Sequence, residues 1–562
     1  MSFEDVLSEA GVFGRFQMLS LLILCLPRVI LPLHFLLHIF ISAVPPHHCA
    51  IRPLGQMGNL SRGRFLYVPQ EVDGTFSSCK MFSHPQLQNS SQDGANMSSV
   101  QNCDQGWEYD HSTFTSTTAT EWDLVCDRKG LNQASATYFF VGLTAGSVVC
   151  GFAADRFGRR WILLVSFLIS TVFGVMSAAS VSYVMFSMCR LLSGVGLMGM
   201  TLISITLVLE WTDVAHRTLC GIVSSLSWTV GYMLLALLAF LIRDWRRLIV
   251  AATSPCLLAI ATWWWVPESA RWLLTKQDWV SAHRCLSRCA EMNGRPDFHR
   301  KISPEVLQKT VTVECKKYNL WDLVKTRRLR KNTVCLGIMW FGVAFSYYGI
   351  SFKVTGFSLG PFLTHFIFGA VEIPAKVAVF LLLDRVGRKP CQGGSLLITG
   401  GFIALTSLLP PGHVRSVTAI LGKGFSEAAF TTAFLYTAEL YPTVLRQTGL
   451  GFCSFMTRLG SSLAPLVILL EDVWHFLPPV VFSSMALISG GAALLLVETS
   501  CVRLPETIED VELDRMRIAT VSRDPSVSSN GGSLPRTALP ASPTSSPRGP
   551  GWTDTSQELP GT

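Results

Sequence analysis

Long apolar stretches separated by short polar segments make up most of the chain. A helix needs about 20 mostly apolar residues to cross the hydrocarbon layer of a bilayer, and charged residues, Pro or Gly bound stretches of about this length here. Twelve such stretches lie near 16–43, 132–153, 161–181, 183–209, 218–241, 248–266, 333–352, 357–383, 391–410, 414–437, 447–470 and 475–497. The pattern predicts an all-α polytopic membrane protein, whose twelve transmembrane helices we number spans 1 to 12 in chain order.

Two hydrophilic segments interrupt this pattern, at 45–130 between spans 1 and 2 and at 267–332 between spans 6 and 7. The second segment carries 15 Lys and Arg residues, whereas the longer first segment carries six. The short basic loops at 156–160 and 385–389 fall on the same side of the membrane as the second segment. Because positively charged loops stay in the cytoplasm, we expect the second segment and both chain ends to be cytoplasmic.

The segment at 45–130 has the features of an extracellular loop. It contains three Asn-X-Ser tripeptides, which are acceptor sites for N-glycosylation, at Asn59, Asn89 and Asn96. It also contains four cysteines, Cys49, Cys79, Cys103 and Cys126. An even number of cysteines in an oxidising compartment predicts two disulfides, for which three pairings are possible.

The composition narrows the function classes. Only 15% of the 562 residues are charged and the mean hydropathy is +0.38, which argues against a soluble enzyme. The net charge of +8 comes from basic residues in loops, without the aromatic-interleaved stripe of a nucleic-acid-binding protein. We expect cytoplasmic ends at 1–15 and 498–562, with the Ser-, Pro- and Gly-rich residues beyond about 520 disordered.

Two motifs recur along the chain at one common spacing. The repeated positions are Asp155 and Asp384, Glu210 and Glu439, and Arg217 and Arg446. The repeat divides the chain into an N-terminal six-helix half at 16–266 and a C-terminal six-helix half at 333–497. Two halves of equal plan are typical of secondary transporters.

These motifs resemble those of the major facilitator superfamily, and within it the organic anion branch of solute carrier family 22. The resemblance extends over about 1–515 and rests on DRFGRR at 155–160, Arg190 with Gly194, PESARW at 267–272, ELYPTVLR at 439–446 and EWDLVCDR at 121–128. It implies a sodium-independent, multispecific organic anion transporter of the plasma membrane, working by alternating access. The implied substrates are small carboxylates, prostaglandin-like anions, and cyclic-nucleotide or purine-type compounds.

Ionisable residues inside the spans indicate the charge of the substrate, because such residues are costly in a membrane and usually functional. Span 8 carries Glu372 and Lys376, and span 11 carries Arg458. The resemblance implies Lys and Arg at these positions in organic anion transporters, and an acidic residue in place of Arg458 in organic cation transporters. We therefore predict an anion site built on Lys376 and Arg458.

A structural alternative is that these cations only neutralise nearby acids. Lys376 would pair with Glu372 at i,i+4, and Arg458 would pair with Glu427 in span 10. The two interpretations are compatible if Glu427 holds Arg458 until a substrate carboxylate displaces it. Glu427 could also accept hydrogen bonds from an amine or a guanine-like group of the substrate.

Aromatic side chains are expected to supply the apolar lining of a multispecific cavity. The resemblance places four of them in it: Trp228, Tyr347, Tyr348 and Phe430. His34 and His38 in span 1 are further candidates for contact with substrate or for pH sensing, although buried histidines are more often structural. Arg28 in span 1 receives no role from the sequence.

A larger set of charged residues is assigned to the cytoplasmic ends of the spans, where ion pairs would hold the outward-open state and break in the inward-open state. The set comprises Asp155, Arg159, Arg160, Arg190, Glu210, Arg217, Glu268, Arg271, Asp384, Arg388, Glu439 and Arg446. Each could instead be a simple helix-end anchor.

Several alternatives stay open at this point. Transport could be exchange against a dicarboxylate or facilitated diffusion, and the substrate could be an organic cation or zwitterion. A polytopic enzyme or a non-transporting receptor belongs to another class, but LGKGFS at 421–426 lacks the upstream Gly of a phosphate-binding loop. We expect no cofactor, metal or nucleic acid, a monomer sufficient for transport, and a basolateral location in epithelial cells or hepatocytes.

Overall fold

The computed structural model describes residues 3–50, 68–70, 76–83, 99–213, 216–310, 320–352, 359–442, 444–500, 508, 511 and 512. The three glycosylation tripeptides at Asn59, Asn89 and Asn96 and the tail beyond 512 lie outside these residues. Predictions made for them stay predictions.

The N-terminal half consists of six spanning segments. They are Arg15–Phe35 continued by His38–Ile41, Lys129–Phe157, Arg159–Ala178, Tyr183–Glu210, Arg217–Leu241, and Trp245–Thr253 continued by Pro255–Thr262 and Trp263–Trp265. The C-terminal half repeats this plan. Its segments are Arg327–Phe352, Pro361–Ala370 continued by Glu372–Val386, Arg388–Leu408, His413–Leu440, Arg446–Ile468 and Leu477–Leu494.

Among the described residues, eleven of these segments are long and apolar enough by composition to cross a membrane. Span 10, His413–Leu440, is not among the eleven although it has 28 residues. It carries Lys423 and Glu427 in its middle, which lower its hydropathy, but its length still exceeds the thickness of the hydrocarbon layer. All twelve predicted spans are therefore present as helices.

Large apolar side chains cover the outside of the helical bundle. Val148, Phe152 and Trp264 are examples, each about two-thirds or more exposed. Apolar surface of this kind is unfavourable in water and suits contact with lipid. Two buried apolar clusters lie inside, a large one and a smaller one that includes Leu336, Trp340 and Tyr436 of the C-terminal half.

The described parts of the loop at 45–130 form a small disulfide-linked structure at one end of the bundle, which we call the disulfide face. Strand His47–Cys49 pairs antiparallel with Trp107–Tyr109, and Lys80–Phe82 pairs antiparallel with Val100–Asn102. The two predicted disulfides are present, and they join Cys49 to Cys103 and Cys79 to Cys126. Short helices at Thr118–Glu121 and Cys126–Arg128 lead into span 2.

The segment at 267–332 lies at the opposite end, which we call the basic face. Its helices are Ala270–Thr275, Trp279–Met292, Phe298–Lys301, Pro304–Thr310 and Leu320–Val324. The N-terminal helix Phe3–Glu9 belongs to the same end, since Glu9 pairs with Lys301 at 3.2 Å.

Candidate functional site

A cluster of four charged side chains lies buried in the C-terminal half. Glu372 and Lys376 are one turn apart in span 8, and Lys423 and Glu427 are one turn apart in span 10. Lys376 Nζ lies 3.4 Å from Glu372 Oε2 and 3.3 Å from Glu427 Oε1, and Lys423 Nζ lies 3.4 Å from Glu372 Oε1. Two carboxylates and two ammonium groups make this cluster neutral.

Polar neighbours satisfy the cluster further. The Tyr347 hydroxyl donates to Glu372 Oε1 at 2.6 Å, and Lys423 Nζ donates to Ser351 Oγ at 2.9 Å. Thr229 of span 5 receives a hydrogen bond from Lys376 Nζ at 2.6 Å and donates to Glu372 at 3.2 Å. Span 5 therefore contributes to the cluster from the other half of the molecule.

These contacts bear on both interpretations of the sequence. Lys376 does pair with Glu372, as the structural alternative predicts, and it is only 3% exposed. Glu427, however, pairs with Lys376 and not with Arg458. The prediction that Glu427 holds Arg458 is therefore wrong, because span 10 turns this carboxylate toward span 8.

Arg458 lies apart from the cluster and retains accessible surface. Its guanidinium carbon is 5.3 Å from the centre of the Phe35 ring in span 1, and the Tyr348 hydroxyl lies beside the guanidinium group. Its Nε makes no hydrogen bond within the described residues, and no carboxylate there pairs with it. Arg458 is therefore a cation deep in the membrane whose charge is not balanced by a described acid.

Arg28 has the same properties and comes from the opposite half. It is partly exposed, its Nε has no hydrogen-bond partner within the described residues, and its guanidinium carbon lies 6.0 Å from the centre of the Trp228 ring. The Trp228 and Phe35 rings are 5.5 Å apart in an edge-to-face contact. The two arginines thus lie on the two rings of one aromatic pair. We call the space that they face the central chamber.

The predicted aromatic residues divide between the chamber and the charge cluster. Trp228 is partly exposed beside Arg28, and Tyr348, although only 2% exposed, lies beside Arg458. Tyr347 is 2% exposed, and its ring centre is 3.1 Å from Lys423 Nζ. Phe430 is partly exposed and packs on Tyr347 with ring centres 5.4 Å apart.

His34 and Arg190 differ from their predicted positions. His34 has no accessible surface, and its carbonyl oxygen accepts a hydrogen bond from Arg190 Nη2 at 3.2 Å. The assignment of Arg190 to the cytoplasmic end of a span is wrong, because span 4 begins at the disulfide face and Arg190 lies two turns after its start at Tyr183. Both residues therefore form an internal contact between spans 1 and 4 and do not reach the chamber.

The other assigned charges do lie at the basic face, and in the N-terminal half Arg159 pairs with two acids. Arg159 contacts Asp155 at 3.1 Å and Glu210 at 3.5 Å. Glu268, which follows span 6, accepts hydrogen bonds from the backbone N–H groups of Arg159 and Arg160 at 3.0 to 3.3 Å. A carboxylate at the start of span 3 is favoured by the unsatisfied N–H groups and by the helix dipole.

The C-terminal half repeats this arrangement. Arg388 contacts Glu439 at 3.2 Å, and Glu498 accepts hydrogen bonds from the backbone N–H groups of Arg388 and Lys389 at 2.9 and 3.0 Å. Burial alone would raise the pKa of Glu498, but backbone N–H donors outweigh it and lower the pKa below its ordinary value of 4.5. Arg217 and Arg446 begin spans 5 and 11. The side chain of Asp384 lies outside the described part of the structure.

Glycine is required at the turn of each repeat. Gly158 and Gly387 both have a φ of 100°, a conformation that L side chains rarely adopt. A Cβ added to either would lie 2.7 Å from Glu268 Oε2 or 2.8 Å from Glu498 Oε2. The glycine of the repeated motif therefore allows the turn and leaves room for the carboxylate that caps the next helix.

Contacts between the two halves include the contribution of span 5 to the charge cluster and further contacts toward the disulfide face. Lys129 Nζ pairs with Asp472 Oδ1 at 2.5 Å, joining the ends of spans 2 and 11. Phe40 of span 1 stacks on Phe362 of span 8 with ring centres 5.6 Å apart. At the basic face, in contrast, each ion pair named above lies within one half. This arrangement is that of a carrier closed at its disulfide face.

Comparison with known proteins agrees with this fold. The family model described as "Sugar (and other) transporter" matches residues 78–509. Two solved structures of the xylose transporter XylE from E. coli share the fold at 16% identity. The inward open form has a TM-score of 0.56 over 69% of this chain and 89% of that one, and the partially occluded inward open form has 0.52 over 85% and 98%.

Relatives cover almost the whole chain. Solute carrier family 22 member 7 is 48% identical in Rattus norvegicus and 49% identical in Homo sapiens, over 91% of this chain and 98% or 96% of those proteins. Solute carrier family 22 member 6 of Danio rerio is 38% identical over 91% of this chain and 94% of that protein.

Twelve spans in two repeated halves around a charged chamber define a membrane transporter of the major facilitator superfamily, and not an enzyme. Within that superfamily the chain belongs to solute carrier family 22.

Sequence reasoning missed two residues of these sites. The sequence analysis considers Lys423 only as part of LGKGFS, the incomplete match to a phosphate-binding loop. Its i,i+4 spacing to Glu427, which places both residues on one face of span 10, could have identified it. Glu498 lies almost at the position where the repeat spacing would place the counterpart of Glu268, so the repeat could have identified it.

Proposed function

We propose that the protein is a sodium-independent, multispecific organic anion transporter of the plasma membrane that works by alternating access. Its substrates would be small carboxylates, prostaglandin-like anions, and cyclic-nucleotide or purine-type compounds. The observation that carries this proposal is Arg458, a partly exposed residue deep in the membrane whose guanidinium group has no carboxylate partner among the described residues. A planar guanidinium group binds a carboxylate or a phosphate through two hydrogen bonds.

The surroundings of Arg458 support a site for organic anions. Trp228 provides partly exposed aromatic surface near the charge, and the buried rings of Phe35 and Tyr348 pack beside it. Multispecific pockets combine an apolar lining with few polar groups that fix orientation. An anion with a ring or an alkyl chain would find both elements here.

Lys376 and Glu427 take a different role in this proposal. Both are buried, and each balances the charge of the other. We assign them to the contact between spans 8 and 10, and we place selectivity for negative charge on Arg458. The acids Glu372 and Glu427 are paired in the same way, which disfavours an organic cation as substrate.

The test is uptake of labelled anions and cations into vesicles containing the purified protein, with and without a trapped internal dicarboxylate. Saturable uptake of anions but not of cations supports the proposal, and uptake of cations alone contradicts it. Stimulation by the trapped dicarboxylate would assign exchange, and its absence would assign facilitated diffusion.

Variants locate the site. Arg458→Leu should abolish anion uptake, and Arg458→Lys should retain a small part of it because it keeps the charge and loses the planar pair of donors. Arg415→Leu is the matched control, since Arg415 is also a partly exposed arginine within a span but lines a separate apolar cavity with Phe402 and Phe482. Equal loss in both leucine variants would contradict the assignment.

Orientation follows from the loops. We infer that the disulfide face is extracellular and the basic face cytoplasmic, with both chain ends inside the cell and a basolateral location in epithelial cells or hepatocytes. The disulfides and the excess of Lys and Arg support this orientation. Glycosidase sensitivity that disappears when Asn59, Asn89 and Asn96 are replaced by Gln would show that this loop is extracellular. Surface biotinylation of polarised cells would test the basolateral location.

The two halves would rock about their contacts at the disulfide face. The ion pairs of Arg159 and Arg388 stay within their own halves, so we propose that they fix the ends of the helices at the basic face. Their substitution should lower the turnover of transport or the folded yield, and leave the ratio between substrates unaltered.

A further inference from the structure

The structure contains a second unbalanced cation at the depth of Arg458. Arg28 lies near the middle of span 1, which begins at Arg15, and Arg458 lies near the middle of span 11, which begins at Arg446. Both helices begin at the basic face, and a rise of about 1.5 Å per residue places both guanidinium groups roughly 20 Å from it. This is about the middle of the membrane.

The charges around the chamber do not compensate these two arginines. The four-residue cluster of Glu372, Lys376, Lys423 and Glu427 is neutral by itself. No described carboxylate pairs with either arginine. Two like charges close together in a medium of low dielectric constant are unfavourable, so this arrangement favours a ligand that brings two negative charges.

We propose that Arg28 and Arg458 together form a two-point site for organic dianions, in which each guanidinium group binds one carboxylate of a dicarboxylate, and that Arg28 determines the preference for two negative charges over one. This inference rests on the proposed anion transport. Arg458 alone would suffice for a monoanion, whereas a dicarboxylate would need both side chains.

The two arginines belong to opposite halves, which gives the site a mechanical role. Arg28 reaches the chamber from span 1 and Arg458 from span 11, and the Trp228–Phe35 pair lies between them. A dicarboxylate bound to both would connect the halves and cancel the repulsion between their charges. Dianions would therefore assist the closure that transport requires.

The experiment compares two probes of one shape. Glutarate carries two carboxylates, and its monoamide replaces one of them by a neutral carboxamide. Uptake of each labelled compound is measured in vesicles containing the wild-type protein, Arg28→Leu, Arg28→Lys or Arg415→Leu, and is normalised to the amount of reconstituted protein. Thermal stabilisation of the detergent-solubilised protein by unlabelled glutarate gives a second readout that does not require transport.

We expect the wild-type protein to prefer glutarate over the monoamide by about tenfold or more in kcat/KM, because a charged hydrogen-bonded contact is worth about 1.5 to 3 kcal/mol. Arg28→Leu should reduce this preference below about threefold, mainly through the KM for glutarate, and should weaken stabilisation by glutarate. Arg28→Lys should give an intermediate ratio, and Arg415→Leu the wild-type ratio.

Three results would decide against the inference or its basis. A wild-type protein that carries both probes without preference overturns the two-point site but leaves anion transport standing. A preference that persists in Arg28→Leu, or a parallel loss for both probes, overturns the role of Arg28. A wild-type protein that carries no organic anion at all removes the proposed function itself.

Discussion

Lys376 Nζ lies 3.3 Å from Glu427 Oε1, so span 8 and span 10 are joined by an ion pair buried inside the C-terminal half. Each partner also has a second charged residue one turn away on its own helix. This pair holds two helices together within a cluster whose charges sum to zero.

Removing one partner should therefore cost more than removing both. Lys376→Met leaves a net negative charge in the cluster and Glu427→Gln leaves a net positive one, and an uncompensated buried charge costs about 3 to 5 kcal/mol. The double variant restores neutrality and should be more stable than either single variant.

The measurement is the apparent melting temperature of each purified protein in detergent, analysed as a double-mutant cycle. Destabilisation of the double variant that equals the sum of the two single effects would show that the pair has no coupling. The idea of a cluster held by mutual neutralisation would then be untenable.

The two turn glycines should be hard to replace. Gly158→Ala or Gly387→Ala combines a φ of 100° with a Cβ that would meet a carboxylate oxygen within 2.8 Å. We expect a loss of about 1 to 3 kcal/mol for the backbone conformation alone.

Gly151→Ala and Gly394→Ala are the matched controls, because both glycines lie within helices and an added Cβ would meet no atom within 4 Å. Surface abundance and melting temperature should fall in the first two variants and stay near wild type in the controls. Similar losses in all four variants would refute the explanation of the motif given above.

The ion pair between Lys129 and Asp472 should bias the carrier toward the state closed at the disulfide face. Its side chains are 34% and 59% exposed, so the ion pair stabilises the closed state by about 0 to 1 kcal/mol. Lys129→Glu replaces this attraction with repulsion and should shift the population toward opening at this face by up to about fivefold.

The shift can be measured by the rate at which a membrane-impermeant thiol reagent labels a cysteine introduced in place of Trp228, which is partly exposed in the chamber. The charge-exchanged variant Lys129→Glu with Asp472→Lys should restore the wild-type rate. If the exchanged variant labels as fast as the single one, the pair does not control closure.

Acid should weaken the cap that Glu498 forms on span 9. Its pKa is lowered in the folded protein by backbone N–H donors that outweigh burial, so the unfolded chain binds the proton more readily. The stabilisation is then fully present above pH 4.5 and is lost as the pH falls through the lowered folded-state pKa.

The prediction is checked by melting curves of wild type and Glu498→Gln between pH 3 and pH 7. The difference in melting temperature should be largest near neutral pH and should shrink on acidification. A difference that stays constant over this range would mean that the carboxylate charge of Glu498 does not stabilise the cap.

The periodic sequence predicts the helices well because membrane spans are defined by length and hydropathy. Span 10 is predicted at 414–437 and observed at His413–Leu440. The repeat spacing likewise predicts equivalent charges at the basic face, and both sets are present there. Contacts inside one helix, such as Glu372 with Lys376, follow from i,i+4 spacing.

Contacts between helices are harder to predict, because they depend on how each helix is rotated about its axis. The sequence assigns Glu427 to Arg458, whereas rotation of span 10 turns it to Lys376. Arg28 receives no role for the same reason, since Trp228, which lies beside it, belongs to span 5, and Arg458, which lies on the other ring of the aromatic pair, belongs to span 11. Arg190 is misplaced for a different reason. The sequence assigns it to the cytoplasmic end of span 4, whereas it lies near the end at which span 4 begins, at the disulfide face.

The carboxylates of Glu268 and Glu498 tie the segment after the last helix of each half back to the turn between its second and third helices. Both ties are internal, so tilting one half against the other breaks neither of them. Under the proposed alternating access, each half would therefore move as a rigid unit. The free energy of the conformational change would then depend on the side chains that contact each other across the two halves, and on the bound substrate.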